Sequence, residues 1–230
     1  MQRHPAHVGS GTDLPPHLTS SPVQLRAATL ADFEAITDLI GHIDLKRRTD
    51  DIGPIFELIR TALATGQGGT GPFTHGSLHF VVAEHADHSG AIGLVRCGVA
   101  SWTASLAVPS PIRNRLYSRI GNIQELAVAP EHRGRGIAHA LLHRAEADHR
   151  AAGYDAIVLR HQREQTSFYT QAGYTSGSRL TLLLPGGLGR VSVPGAGWRW
   201  AVKPLVPPVS VVDIHGSPAL TGLLSPRDPA

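Results

Sequence analysis

Two spacings of apolar residues take turns along this chain. Val23 and Leu25 alternate with Gln24 and Arg26, the period of a strand with one buried face. Behind Thr29, a residue suited to cap a helix, Phe33, Ile36, Leu39 and Ile40 recur on one helical face. Ile55, Leu58, Ile59 and Ala62 repeat that spacing over 54–64, and the glycine-rich stretch 66–71 ends it. Residues 78–84 and 91–100 then read as strands joined by a turn at 87–90. The prolines at 109 and 111 mark a loop across 101–121, with a short helix over 112–120. A strand over 123–128 precedes a turn of Arg and Gly, and the helix after it runs to 152 and stops at Gly153. Next come a strand at 156–159, a short helix at 166–171 stopped by Gly173, and a closing pair of strands at 180–184 and 198–202.

That order predicts an α/β (mixed α+β) protein, a central mixed sheet flanked by helices, folded as a single domain over 22–205. Residues 1–21 lack any periodic pattern and are expected to be a disordered N-terminal tail. Prolines return from Val206, so 206–230 is expected to be a disordered or loosely packed C-terminal tail. No internal repeat is visible.

Composition narrows the function classes. Hydrophobic residues make up 41% and charged residues 17%, as in ordinary globular proteins. The formal charge is +3, and Lys46 and Lys203 are the only lysines, so the positive charge is nearly all arginine. The excess is too small and scattered for a nucleic-acid surface. No apolar run approaches the length of a membrane span, and residues 1–10 do not read as a signal peptide. A cytoplasmic protein is therefore expected, with neither nucleic acid nor membrane as partner; a homodimer is left open. The single cysteine, Cys97, reads as a small buried hydrophobe and rules out an intrachain disulfide.

The chemistry concentrates in residues 124–138, Gln-Glu-Leu-Ala-Val-Ala-Pro-Glu-His-Arg-Gly-Arg-Gly-Ile-Ala. Gly134 and Gly136 let backbone approach a ligand, and the helix start behind them offers unpaired N–H groups suited to phosphate. Arg133 and Arg135 add charge, so the simplest ligand is a phosphorylated cofactor. A Walker loop would need a lysine here, and His139 stands where a dinucleotide fingerprint needs its third glycine. What remains is Arg133-x-x-Gly136-x-Ala138 behind a strand ending Leu126-x-Val128-x-Pro130. This pattern resembles the acetyl-coenzyme A pyrophosphate loop of the GNAT superfamily of N-acetyltransferases. Phe168-Tyr169-Thr170-Gln171-Ala172-Gly173-Tyr174 resembles a second signature of that superfamily. The resemblance spans roughly 23–205 and is specific from about 122 to 175.

The resemblance implies a central sheet that splays where acetyl-coenzyme A enters as co-substrate, with no metal. It implies that the backbone of Leu126, Ala127 and Val128 pairs with the pantetheine arm. Arg133, Gly134, Arg135, Gly136, Ile137 and Ala138 would hold the pyrophosphate. Gln162 stands near the place of a cofactor-contacting asparagine in relatives. It further implies that Tyr169 protonates the leaving thiolate; the alternative is a core aromatic. Glu125 is a carboxylate within an apolar strand, pointing away from Leu126 and Val128, and such a group must be solvated or paired. It is expected either to face the substrate cleft and take the amine's proton, as acidic residues on this strand do in relatives, or to form a surface salt bridge at a sheet edge. His139, His143 and Glu146 share a helix face but do not form a metal-ligand motif, and are expected to be a solvated polar face.

The expected reaction is acetyl transfer to a primary amine by direct attack in a ternary complex, the acceptor being a small molecule more readily than a protein. A rival from another class is a non-catalytic acyl-coenzyme A binding module, which would need neither Glu125 nor Tyr169. Segments 41–76 and 101–121, which would shape the acceptor pocket, carry no motif.

Overall fold

In the computed structural model the described residues are 23–43, 52–65, 78–85 and 90–225. The expectation of a disordered tail over 1–21 lies outside them. The chain runs β1 (Val23–Ala27), α1 (Phe33–Gly41), α2 (Ile52–Ala64), β2 (His79–His85), β3 (Ala91–Val99), α3 (Ser110–Tyr117) and β4 (Ile120–Val128). It continues through α4 (Ile137–Ala151), β5 (Ala156–His161), α5 (Thr166–Gln171), β6 (Thr175–Gly177) and β7 (Arg179–Leu183). The last strands are β8 (Arg190–Pro194), β9 (Arg199–Pro204), β10 (Ser210–Asp213) and β11 (Pro218–Thr221).

Seven strands form one sheet in the order β1-β2-β3-β4-β5-β9-β6, antiparallel throughout except for the parallel pair β4–β5. On one face α4 buries Ile137, Leu141, Leu142 and Ala145 against Val81, Val95, Cys97, Ile157 and Leu159. On the other, α1 and α2 bring Ile36, Leu39, Ile40 and Ile59 onto Phe80, Val82, Leu94 and Ala127. The entry to α1 is fixed by Asp32, whose carboxylate accepts from the Thr29 N–H at 2.8 Å and is gripped by Arg26 at 2.8 Å.

The C-terminal part corrects two expectations. Residues 180–184 and 198–202 do not pair with each other. β9 is buried on both faces, Trp200 and Val202 on one and Ala201 on the other, so it sits inside the first sheet between β5 and β6. β7 instead joins a second, four-stranded sheet ordered β10-β11-β7-β8. Nor are residues 206–225 loose. Their strands, Ser-Val-Val-Asp and Pro-Ala-Leu-Thr, show no apolar–polar alternation, yet Val209, Ala219, Leu220, Leu223 and Leu224 are all buried. The second sheet stacks Leu180, Leu182 and Leu220 on Val158, Trp200 and Val202 of the first.

Candidate active site

The site begins where β4 and β5 part. They are paired from Ile120↔Ala156 to Ile123↔Leu159 and no further, while β4 stays paired with β3 as far as Val128. One edge of β4 beyond Ile123 is thus without a strand partner among the described residues. The unpaired peptide groups there must find another partner, and an extended ligand arm would supply one. The register also slips: Arg96 faces Glu125 but Cys97 faces Ile123, so Gln124 is an extra residue in a bulge.

Past Val128 a short 3-10 turn over Pro130–His132 leads into the glycine turn. Gly134 and Gly136 have φ of 75° and 80°, the left-handed region that suits glycine. The space over both is open, with no atom within 4 Å of an added Cβ. α4 starts here, and its first internal bond runs from the Ala140 N–H to the Gly136 carbonyl at 3.0 Å, so the N–H groups ahead of it are free of the helix. Arg133 donates from Nε to the Val128 carbonyl at 3.0 Å, tying the turn to the strand end. A hollow of about 400 Å³ lies over this turn, lined by Gly134, Gly136, Ile137, Ala138, His139 and Phe168 among others. The donor set and the open glycine backbone fit a pyrophosphate. Ile137 gives only its backbone, because its side chain is core. Arg135 is exposed and lies outside the lining.

A cavity of about 800 Å³ adjoins this hollow and runs through the gap between β4 and β5. At the turn end it meets Val128, Arg133, Ala138 and Phe168; Leu126, Ala127, Gln162 and Tyr169 line its middle. Tyr169 is only 6% exposed, its ring packed at 4.9 Å from His161, 5.0 Å from Phe168 and 5.9 Å from Tyr174 (centroid to centroid). Burial pushes its phenol above the usual range, which keeps it protonated. Burial likewise holds the His161 imidazole below its usual value; its ring nitrogens bond the Gln162 carbonyl and Ser176 Oγ, both at 2.6 Å.

The far end is lined by His42, Ile43, Arg96, Ser101, Trp102 and Asn122, with Arg160 and Trp198. Glu125 belongs to this wall but not in either expected way. Both of its oxygens are bonded by the Arg96 guanidinium, directly across the strand pair. The two side chains are 0% and 6% exposed. The pair is therefore buried in the middle of the sheet rather than at a surface edge, and the carboxylate is shielded rather than presented to the cleft. Arg96 went unnoticed in the sequence, though it is the same anomaly as Glu125: a lone charge in an apolar strand. Trp102, Arg160 and Trp198 gave no sequence signal.

On the histidine face of α4, His143 is solvated as expected, and the correction concerns Glu146. Glu146 is buried and bonded by Lys203 Nζ at 2.7 Å, and His143 lies 3.7 Å from its carboxylate. The His139 ring packs tilted against Phe168, with 4.7 Å between the ring centroids. Among the described residues no group of three or more metal-ligating side chains is assembled, and no helix is long and apolar enough to cross a membrane.

Residues 76–176 match the family model of the acetyltransferase (GNAT) domain. The chain contains a GNAT acetyltransferase domain. Its fold is shared by an acetyltransferase of the GNAT family from Staphylococcus aureus Mu50, at 17% identity and a TM-score of 0.53, covering 80% of this chain and 100% of that one. It is shared too by a phosphinothricin acetyltransferase from Sinorhizobium meliloti in complex with acetyl-coenzyme A, at 18% identity and a TM-score of 0.51, covering 80% and 88%. A spermidine N-acetyltransferase mutant from Vibrio cholerae aligns at 17% identity with a TM-score of 0.50, covering 80% and 94%. No curated protein sequence matches this one significantly. The GNAT match ends at Ser176, within β6, so the second sheet lies entirely beyond it.

Proposed function

We propose that this GNAT domain transfers the acetyl group of acetyl-coenzyme A to a primary amine in a ternary complex. One observation carries the reading: the cavity runs from Arg133 and Ala138, at the edge of the glycine turn's hollow, to the Arg96–Glu125 wall, so thioester and amine can meet between β4 and β5. The co-substrate supplies an activated acetyl group, and placing the amine beside it accounts for much of the acceleration. The amine nitrogen bonds to the carbonyl carbon, the carbon–sulfur bond breaks, the amine loses one proton and the sulfur gains one.

The unpaired edge of β4 at 126–128 holds the pantetheine arm, and one of its N–H groups stabilises the charge growing on the carbonyl oxygen. The turn from Arg133 to Ala138 holds the pyrophosphate, and Gln162 lines the same channel. Tyr169 gives the sulfur its proton; a thiol's reference pKa of about 8.5 makes only a modest demand on that acid. The amine's proton goes to water in the cavity, because the Glu125 side chain is shielded and occupied by Arg96.

Tyr169→Phe tests the assignment. Turnover, followed as free thiol with a panel of amines, should fall roughly 10- to 10⁴-fold. Acetyl-coenzyme A affinity should change little, since one neutral hydrogen bond is worth about 0.5–1.5 kcal/mol. Turnover retained within a factor of about two contradicts the acid role. Tight acetyl-coenzyme A binding by the wild type without turnover of any amine would make this a binding module.

A further inference from the structure

The charges around the acceptor end of the cavity select a class of amine. Among the described residues lining it, Glu125 alone carries a carboxylate, and that carboxylate is consumed by Arg96. No aspartate is among the described residues that line it. Among the described residues the remaining formal charge at this end is Arg160, which has no ion-pair partner among them. Arg160 stands with its guanidinium 5.8 Å from the centre of the Trp200 ring, a cation–π seat that holds it at the cavity. All three tryptophans of the chain gather at this wall: Trp102 and Trp198 line the cavity, and Trp200 meets Trp102 edge-on at 5.2 Å. Trp102 Nε1 is a buried donor with no acceptor among the described residues.

We infer that the acceptor is an amine that also bears a carboxylate, with an apolar or aromatic body: an amino-acid-like molecule rather than a polyamine. The inference rests on the acetyltransferase reading above and deepens it. A polyamine brings further ammonium groups that need carboxylates, and the described residues of this wall offer none that is free while Arg160 repels them. A carboxylate suits Arg160, which can take it through two parallel N–H donors. The body then lies between Trp102 and Trp198, and the amine points inward toward the gap where β4 and β5 diverge.

The experiment compares matched pairs with and without the carboxylate: L-phenylalanine with phenethylamine, and L-leucine with isoamylamine, with spermidine as the polycation. Thiol release gives kcat/KM, and quenching of tryptophan fluorescence gives binding at the same wall. The expected result is that each amino acid exceeds its decarboxylated partner by about 10-fold or more in kcat/KM, the size of one charge-assisted hydrogen bond. Arg160→Gln should collapse that ratio to within about threefold of unity. Equal or better turnover of phenethylamine, isoamylamine or spermidine overturns the inference and leaves the acetyltransferase reading standing. Carboxylate-dependent quenching without turnover of any amine supports the binding class and removes the enzyme instead. Neither quenching nor turnover with the amino acids overturns the inference.

Discussion

Replacing Glu125 with glutamine separates two chemistries that the same residue could serve. Glutamine keeps the size and one acceptor oxygen but removes the charge that faces Arg96. The guanidinium would then sit in a sheet interior with its side chain 6% exposed and no counter-charge. Removing one partner of a buried ion pair costs about 3–5 kcal/mol, chiefly because the other charge is left behind. The amide oxygen still accepts one of the two hydrogen bonds, which places the loss near the lower bound. For a chain of this size each kcal/mol moves the Tm by about 2–4 °C, so a drop of roughly 6–12 °C is expected. Thermal unfolding followed by circular dichroism measures it. Arg96→Met combined with Glu125→Leu should recover most of the loss, because an apolar pair of similar volume needs no charge compensation. Turnover of Glu125→Gln well below its Tm should stay within about tenfold of wild type, with the pH–rate profile unchanged in shape. A general base gives the opposite pattern: an unchanged Tm, a loss of about 10²-fold or more, and a missing acidic limb. That outcome would refute the argument from shielding.

Gly136→Asp should abolish acetyl-coenzyme A binding in calorimetry, because it sets a carboxylate at the phosphate turn; the left-handed φ of 80° adds about 1–2 kcal/mol of strain. Unchanged affinity would remove the turn from the site. Gly121→Ala should destabilise by about 1–3 kcal/mol in denaturant titration, because its Cβ would fall inside the buried His149 imidazole. A neutral result would show that the ring moves freely. Burial lowers His149 from an ordinary 6.5 to about 4, so the folded state binds its proton less readily than the unfolded chain. Its contribution is therefore complete above about pH 6.5 and is lost as pH falls toward 4, a decline that His149→Gln should flatten in urea titrations across that window.

What could be read from the sequence divides along the reach of the contacts. The cofactor half of the site is local: the turn from Arg133 to Ala138 follows its strand directly, and Gln162 and Tyr169 lie seven residues apart. Strand, turn and helix start are each written in adjacent residues, so chemistry and position could be read together. The acceptor half is assembled from Ile43, Arg96, Trp102, Arg160 and Trp198, which meet only once the strand order is known. Glu125 shows the boundary between the two. Its anomaly was visible, but its partner is set by a cross-strand register that a bulge at Gln124 shifts by one. The second sheet failed for another reason. Its strands β10 and β11, Ser-Val-Val-Asp and Pro-Ala-Leu-Thr, carry no apolar–polar alternation from which a strand could be read.

That second sheet bears on specificity. The GNAT match ends at Ser176, yet Trp198 comes from the chain beyond it and Arg160 is seated on Trp200, also beyond it. Trp200 in turn is backed by Leu180, Leu182 and Leu220 of the second sheet. The acceptor wall is thus propped from behind by strands that lie beyond the matched residues 76–176, while the cofactor turn lies among them. Such a division lets the cofactor chemistry stay fixed while packing of the second sheet sets where Arg160 and the tryptophans stand. Loosening the second sheet should therefore alter the choice of amine before it alters the grip on the co-substrate. The two halves share one cavity, but the interior forces that hold them come from different layers of the protein.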